Sequence, residues 1–277
     1  MEYFRHERVS DRIIRIIDIT DTAIYLVTGN EKACLIDTGS GIGSLRDYVD
    51  KLTDLPYDVI LTHGHVDHAS GAAEFQDKKI YLHAADRVLM KRHTVFKNRT
   101  DYTKHVKHID IPEKDLIPQM DPNQCEELCD GDVFDLGGLH LQIVHTPGHT
   151  NGMCMVLIKE ERTILFGDGC GVSVLIIDDD ATSVETYLKT LISLRKYNGE
   201  YDKIIRNHGT YVSKKSLLES VISCAEDIID KTDDHYPAEG LPGNCTDAFF
   251  ARKVDEHKQR IDGKEGNIAY RNCKIFD

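Results

Sequence analysis

The chain is poor in the features that would place it in a membrane or a secretion pathway. Among its 277 residues no apolar run approaches the roughly 18 residues of a membrane-spanning helix, so we expect no membrane association. The first eight residues, Met1 to Arg8, carry too many charges for the core of a signal peptide. The sequence also has no evident internal repeat or low-complexity linker. We therefore expect a soluble intracellular protein.

Disulfide bonds are not expected either, although the chain has eight cysteines. Their positions are scattered and show no framework of a small disulfide-linked domain, which favours reduced thiols in the cytoplasm. A chain of this length with 40% hydrophobic residues can bury a large core. It could fold as one elaborated domain or as a domain with an appendage, and we favour the second.

A cluster of histidines is the most informative feature that the sequence does contain. His63-Gly64-His65-Val66-Asp67-His68 follows the apolar run Asp58–Leu61. Imidazole nitrogens and carboxylate oxygens are ligands that suit zinc and its first-row neighbours. If the backbone stays extended after the strand, His63 and His65 point the same way and can share one ion. Asp67 and His68 follow a change of direction and can serve a second ion.

Three more ligand-type residues follow strand-like segments and lie beside turn-forming glycines. His149 lies in a Pro-Gly turn after an apolar alternation, Asp168 follows a short apolar run in Gly-Asp-Gly, and His208 follows Lys203–Ile205. A solvated, histidine-rich loop would not explain this recurrence. The pattern indicates a metal site assembled from distant parts of the chain.

The order of these motifs resembles the metallo-β-lactamase-fold metallo-hydrolases. The matching segments are Asp37-Thr38-Gly39, the histidine block, Thr146-Pro147-Gly148-His149, Gly167-Asp168 and His208-Gly209, so the resemblance runs from about Ile13 to His208. It implies an α/β fold of the αββα sandwich type, with two mixed β-sheets flanked by helices. The glyoxalase II and lactonase-like branch is the nearest in character, and no subfamily is assigned.

The resemblance also implies a role for each residue of the site. His63, His65 and His149 would bind one metal ion, Asp67, His68 and His208 the other, and Asp168 would bridge the two. Asp37 would lie behind the ligands and steady the histidine loop by hydrogen bonding. We expect two zinc ions, with iron or manganese possible, a bridging hydroxide as nucleophile, and Asp67 as the group that takes the released proton.

Positions where the sequence departs from the patterns of individual families narrow the range of possible substrates. Gly64 stands where glyoxalase II enzymes carry another histidine, and Gly171 stands where lactonases carry a tyrosine. Asp67 and Asp168 are both carboxylates, which argues against β-lactam hydrolysis, and an acidic chain suits nucleic acid poorly. We expect hydrolysis of a small ester, thioester, lactone or phosphodiester. The alternative is an iron-dependent oxidoreductase on the same scaffold, similar to persulfide dioxygenases.

A basic island interrupts an otherwise acidic chain. Arg87–His108 holds seven basic residues and one acid, whereas the whole chain has a net charge of −13. We interpret Arg87–His108, which lies in a basic insert over 87–124, as a lid or wall that attracts an anionic substrate through Lys91, Arg92 and Lys97. The alternative, a solvated helix face without a ligand, is equally open. The histidines of this segment, at 93, 105 and 108, could lie at the surface or reach the substrate, and we favour the surface.

Hydrophobic periodicity supports the same architecture. It predicts a metal-binding domain over residues 1–210 and a C-terminal helical appendage over 211–277, and leaves the oligomeric state open. Strands are predicted at Arg12–Ile19, Ala23–Thr28, Lys32–Asp37, Tyr57–Thr62, Lys79–His83, Val133–Leu136, Leu139–Thr146, Met153–Ile158, Thr163–Gly167 and Val172–Ile177. Helices are predicted at Ser44–Leu52, Ala181–Lys196, Lys214–Lys231 and Asp247–Arg260.

Overall fold

A computed structural model describes residues 2–241, 245 and 247–277. The strands of the first sheet are β1 (Phe4–Arg8), β2 (Ile13–Asp18), β3 (Ala23–Thr28), β4 (Ala33–Ile36), β5 (Tyr57–Ile60), β6 (Ile80–Leu82) and β7 (Glu126–Glu127). Those of the second sheet are β8 (Val133–Asp135), β9 (His140–His145), β10 (Cys154–Ile158), β11 (Thr163–Leu165), β13 (Lys203–Ile205) and β14 (Val212–Ser213). A third sheet contains β12 (Val174–Ile176), β15 (Tyr236–Pro237), β16 (Ala248–Phe250) and β17 (Ile268–Arg271). The helices are α1 (Leu45–Val49), α2 (Val66–Ala69), α3 (Arg87–His93), α4 (Phe96–Lys107), α5 (Val184–Leu194) and α6 (Leu217–Ile229).

Both large sheets are mixed, as predicted. The first has its strands in sequence order, and β4, β5 and β6 run parallel to one another. The second has the order β14-β13-β11-β10-β9-β8, with β11 parallel to β13. Because parallel strands end at the same edge, the loops after β4, β5 and β6 are neighbours, and so are those after β11 and β13.

Successive side chains along a strand point to opposite faces of the sheet, and this alternation divides the core into layers. In β10, Val156 packs between the two sheets, while Met155 and Leu157 face the opposite way and pack against residues of α5 and α6. The outer face of the first sheet packs against α1, where Leu45 and Val49 are buried. The predicted αββα sandwich is confirmed by this helix–sheet–sheet–helix stack.

The C-terminal part differs from the expected pair of helices. The predicted helix at Lys214–Lys231 is present as α6, but the one at Asp247–Arg260 is wrong, because β16 pairs there with β15 and β17. The third sheet also takes β12 from the preceding part of the chain, parallel to β17. Residues of α6 and β17 join the same apolar core as α5. The boundary at residue 210 stays a prediction.

The basic segment folds into α3 and α4, which follow the carboxyl end of β6. Helix α4 contacts α2, the short helix that carries part of the histidine block. Within the residues that the structure describes, no helix combines the length and the apolar character needed to cross a bilayer.

Candidate metal centre

The seven ligand-type residues lie in loops at the ends of strands from both large sheets. His63 and His65 follow β5, and α2 then carries Asp67 and His68. The remaining three residues, His149, Asp168 and His208, follow β9, β11 and β13. The structure brings all seven together, since their ligand atoms fall into overlapping groups of three in which every separation is within 4.8 Å.

Three imidazoles form the first group. His65 Nδ1 lies 3.0 Å from His63 Nε2 and 2.9 Å from His149 Nε2. All three side chains are buried. Three ring nitrogens that face one another at such distances can be satisfied together by a cation between them, and imidazole nitrogen is a preferred ligand of zinc.

Asp67, His68 and His208 form the second group, and Asp168 lies beside it. His208 Nε2 lies 3.3 Å from Oδ2 of Asp67, 3.3 Å from Oδ2 of Asp168 and 3.3 Å from His68 Nε2. Asp168 Oδ2 is also 3.5 Å from His68 Nε2 and 3.8 Å from His149 Nε2. Asp168 therefore lies between the two groups, where a bridging ligand was predicted.

The hydrogen bonds behind the rings of His68 and His149 leave one nitrogen of each ring free for a metal. His68 Nδ1 is 2.9 Å from Asp37 Oδ2, and His149 Nδ1 is 2.9 Å from the carbonyl oxygen of Leu175. A ring that donates from Nδ1 presents the lone pair of Nε2 to the cluster. The donor set therefore fits the pair of divalent metal ions that the sequence predicted.

Asp37 occupies the position expected of a supporting carboxylate. It is fully buried and accepts hydrogen bonds from the backbone N–H of Thr62 at 2.7 Å and from Asn207 Nδ2 at 3.0 Å. Thr62 precedes His63, and Asn207 precedes His208. Asp37 thus connects the histidine block with the loop of His208.

The electrostatics of the cluster separate the two groups. Burial lowers the pKa of His63 and of His65 well below the usual value, so both rings are neutral at neutral pH. Burial opposes charge on His208 as well, but Asp168 and Asp67 raise its pKa to about 10. The carboxylates therefore attract positive charge into the second group.

The cluster is accessible from one side. The side chains of Asp168 and His208 are 19% and 36% exposed, whereas that of His68 is fully buried. A substrate would therefore approach along the face that Asp168 and His208 present.

Two residues of the basic segment, Tyr102 and His93, reach the cluster, and Tyr102 was not predicted to do so. Tyr102 of α4 donates a hydrogen bond from its hydroxyl to Asp67 Oδ2 at 2.7 Å. The ring of His93 stacks on that of His65, with centroids 4.9 Å apart and planes inclined by 23°. The prediction that His93 is a surface residue is therefore wrong. His105 and His108 are exposed, as predicted.

The three basic residues proposed for substrate binding have different surroundings. Lys91 is exposed, Arg92 forms an ion pair with Asp180, and Lys97 forms one with Asp101 on the same helix. The backbone carbonyl of Asp180 accepts hydrogen bonds from Asn151 in the His149 loop. Arg92 therefore lies near the rim of the cluster, and its charge is partly compensated.

A buried carboxylate, Asp86, also escaped the sequence analysis. It accepts hydrogen bonds from Gly64, Thr150 and Gly152, so it contacts the loops on both sides of the first group. One signal could have revealed it. Asp86 follows β6, the parallel neighbour of β5, and the loop after β6 ends at the same edge as the histidine block.

Comparison with known proteins places this fold and cluster in a family. Residues 18–201 match the family model described as the metallo-beta-lactamase superfamily. The chain belongs to the metallo-beta-lactamase superfamily, and the predicted class of metal-dependent hydrolase is confirmed at this level.

Two related proteins and one solved structure are similar to this chain. It is 24% identical over 261 residues to a chicken (Gallus gallus) protein named acyl-coenzyme A thioesterase MBLAC2, covering 81% of this chain and 92% of that one. It is 29% identical over 174 residues to the atrochrysone carboxyl ACP thioesterase nsrC of Aspergillus novofumigatus, covering 58% of this chain and 44% of that one. A metallo-beta-lactamase superfamily protein of Sulfolobus tokodaii shares the fold, with a TM-score of 0.53, 20% identity, and coverage of 73% and 79%.

Proposed function

We propose that this chain is a metal-dependent acyl thioesterase that hydrolyses a thioester with an anionic carrier group, such as an acyl-coenzyme A. The observation that carries the proposal is the convergence of seven ligand-type side chains on one accessible cluster. Two relatives named as thioesterases support the choice of a thioester over the other esters that the sequence left open.

The residues divide into two sets of ligands in this proposal. His63, His65 and His149 would hold one ion, Asp67, His68 and His208 the other, and Asp168 would contribute to both. A bound pair of divalent metal ions supplies Lewis acidity toward the substrate carbonyl and lowers the pKa of water toward neutrality. We infer zinc because five of the seven donors are imidazoles, with iron or manganese as alternatives.

Asp67 would take the proton that the attacking water releases. Burial alone would raise the pKa of its carboxyl group, but His68 and His208 hold that pKa well below the usual value. Asp67 is therefore ionised at neutral pH, as a proton acceptor must be. Tyr102 and Thr22 both donate to its Oδ2, at 2.7 Å and 3.3 Å, and so fix the direction of this oxygen.

Thioester chemistry suits a site of this kind. A thiol has a pKa near 8.5, so a thiolate leaves readily and needs no protonated side chain aimed at the sulfur. The residues of the site then have to bind the acyl group, orient the carbonyl and accept one proton. Lys91 and Arg92, at the end of α3, would contribute to the attraction of an anionic carrier.

The cellular location follows from the thiols in this proposal. All eight cysteines are free, and Cys34, Cys154, Cys170 and Cys224 are buried. A reducing compartment preserves such thiols, and we infer the cytoplasm.

The test is a substrate panel on protein whose metal content has been measured. Acyl-coenzyme A thioesters of several chain lengths, their oxygen-ester analogues, a lactone and a phosphodiester would be compared, with acid release measured by a pH indicator as the common readout and thiol release as a second readout for the thioesters. We expect thioesters to give the highest kcat/KM. A clear preference for another bond type would overturn the choice of thioester. Iron as the bound metal, with oxygen consumed on a persulfide, would favour the oxidoreductase instead.

A further inference from the structure

The carboxylate of Asp86 lies between the two loops that carry the first group of imidazoles. Its Oδ2 accepts hydrogen bonds from the backbone N–H of Gly64 at 2.9 Å and from Thr150 Oγ1 at 2.7 Å. Its Oδ1 accepts one from the backbone N–H of Gly152 at 2.7 Å. Gly64 separates His63 from His65, and Thr150 follows His149. One side chain therefore connects all three imidazoles of this group.

Among the described residues, Asp86 makes no contact that indicates another role for its carboxylate. The residue precedes α3, but its side chain does not cap that helix. It is 1% exposed, and among the described residues no lysine or arginine forms an ion pair with it. Burying a carboxylate costs free energy unless hydrogen bonds compensate, and here all of the compensation comes from the two loops.

The backbone of both loops lies very close to Asp86. A Cβ atom on Gly152 would lie 2.7 Å from Asp86 Cγ, and one on Gly64 would lie 2.8 Å from the backbone oxygen of Asp86. Such distances are shorter than any normal carbon contact, so both positions require glycine. The loops are held against Asp86 with no space for a larger residue.

Asp37 has the corresponding position in the second group. It is hydrogen-bonded to His68 Nδ1 and to Asn207, the neighbour of His208. Each of the two buried carboxylates thus connects two loops. Asp37 contacts the ring of His68 directly and reaches the ring of His63 only through Thr62. Among the residues that the structure describes, the two carboxylates share no hydrogen-bond partner.

We propose that Asp86 is a positioning residue for one half of the metal centre, where it holds the His63–His65 loop and the His149 loop at the separation that a single ion requires. Asp37 serves the other half. This inference rests on the proposed function, because it assumes that the cluster binds metal. Its consequence is that the two metal-binding steps can be weakened separately.

The substitution Asp86→Asn tests this inference at nearly constant volume. An asparagine keeps one acceptor oxygen and replaces the other by an NH2 group, which would face an N–H or O–H donor of one of the two loops. The variant therefore loses its hold on one loop. Metal-free protein would be titrated with Co²⁺ and followed by its visible absorption, and with Zn²⁺ in competition with a chromogenic chelator.

We expect one of the two binding steps to weaken by about 10- to 100-fold in Asp86→Asn, as is typical when a partner behind a metal ligand is lost. His149→Ala identifies which step belongs to the first group. The other step should keep its affinity. Asp37→Asn should weaken the other step more, because Asp37 contacts the ring of His68 directly and that of His63 only through Thr62.

A gentler variant covers the case in which Asp86→Asn does not fold. Thr150→Val has nearly the same shape and removes one of the three hydrogen bonds, so a smaller loss at the same step is expected. Circular dichroism of the metal-free variants checks the fold. Equal weakening of both steps, or of neither, would overturn the inference about Asp86. The proposed function would still stand in that case if the wild-type protein bound two ions. A wild-type protein that binds no divalent metal would overturn both.

Discussion

The hydroxyl of Tyr102 donates a 2.7 Å hydrogen bond to Oδ2 of Asp67, which joins the basic segment to the metal cluster. Tyr102→Phe removes this donor and keeps the ring. Because a hydrogen bond to a charged acceptor contributes about 1.5–3 kcal/mol, we expect kcat/KM for the best thioester to fall by about 10- to 100-fold. Metal content should stay the same when the metal is supplied in excess, since all seven ligands remain. Steady-state kinetics and metal analysis measure the two quantities.

Tyr57→Phe is the matched control for this variant. Tyr57 also donates a 2.7 Å hydrogen bond to a carboxylate, Asp50 Oδ1, but Asp50 directly follows α1 and Tyr57 is the first residue of β5, away from the cluster. We expect this control to keep its kcat/KM. If the two variants behaved alike, the contact between Tyr102 and Asp67 would have no part in the reaction.

Asp168→Ala should abolish turnover and lower metal occupancy. Its Oδ2 lies within 3.8 Å of imidazole nitrogens from both groups, so its loss affects both ions. Asp202→Ala is the control, because Asp202 is exposed and forms an ion pair with Arg162. Activity assays and metal analysis of both variants are the measurements. Normal activity and occupancy in Asp168→Ala would contradict the assignment of ligands.

Neutralising Lys91, Arg92 and Lys97 together should raise KM for an anionic thioester and spare a neutral ester. The reason is the loss of local positive charge near the cluster, which would otherwise raise the concentration of anions there. The ion pairs of Arg92 and Lys97 reduce this charge, so we expect an increase in KM of about threefold to tenfold, and less at high salt.

A control of equal charge separates local from global effects. Lys32, Lys51 and Lys253 are exposed and lie outside the basic segment. Neutralising them changes the net charge by the same amount and should leave KM unchanged. Equal effects of the two triple variants, or equal effects on anionic and neutral substrates, would contradict the lid.

Metal binding should become tighter as pH rises through the neutral range. In the metal-free protein burial opposes protonation of His208, but Asp168 and Asp67 raise its pKa to about 10, so the ring carries a proton at neutral pH. A metal ion has to displace that proton, and the competition weakens as pH increases. We expect about tenfold tighter binding per pH unit for each proton displaced, and proton release in weakly buffered solution. An affinity that did not depend on pH would contradict this prediction.

Much of the centre could be predicted because its ligands come in short motifs at strand ends. The histidine block and the glycine-rich turns before Asp168 and after His208 are visible in the sequence, and alternation located most of the strands. All seven ligand-type residues lie together as expected. Their roles as ligands stay predictions that the variants above address.

The elements and contacts that were not predicted correctly have physical causes. Residues 247–260 contain a charged pattern that suits a helix, yet Phe249 and Phe250 form a strand because β15 and β17 provide partners on both sides. Strand β1 escaped notice because it lies at a sheet edge, where only Phe4 is buried and its other residues are exposed. Tyr102 and His93 lie on helices whose orientation depends on tertiary contacts, and no local pattern records where such a helix will point.

The pairing of β12 with β17 makes the end of the described chain relevant to the metal centre. Leu175, in register with Ala269 of β17, presents the carbonyl oxygen that lies 2.9 Å from His149 Nδ1. A substitution in β17 that shifts this register would move the acceptor away and release the ring. Natural variation in a strand about a hundred residues from Asp168 along the chain could therefore tune metal affinity without altering a single ligand.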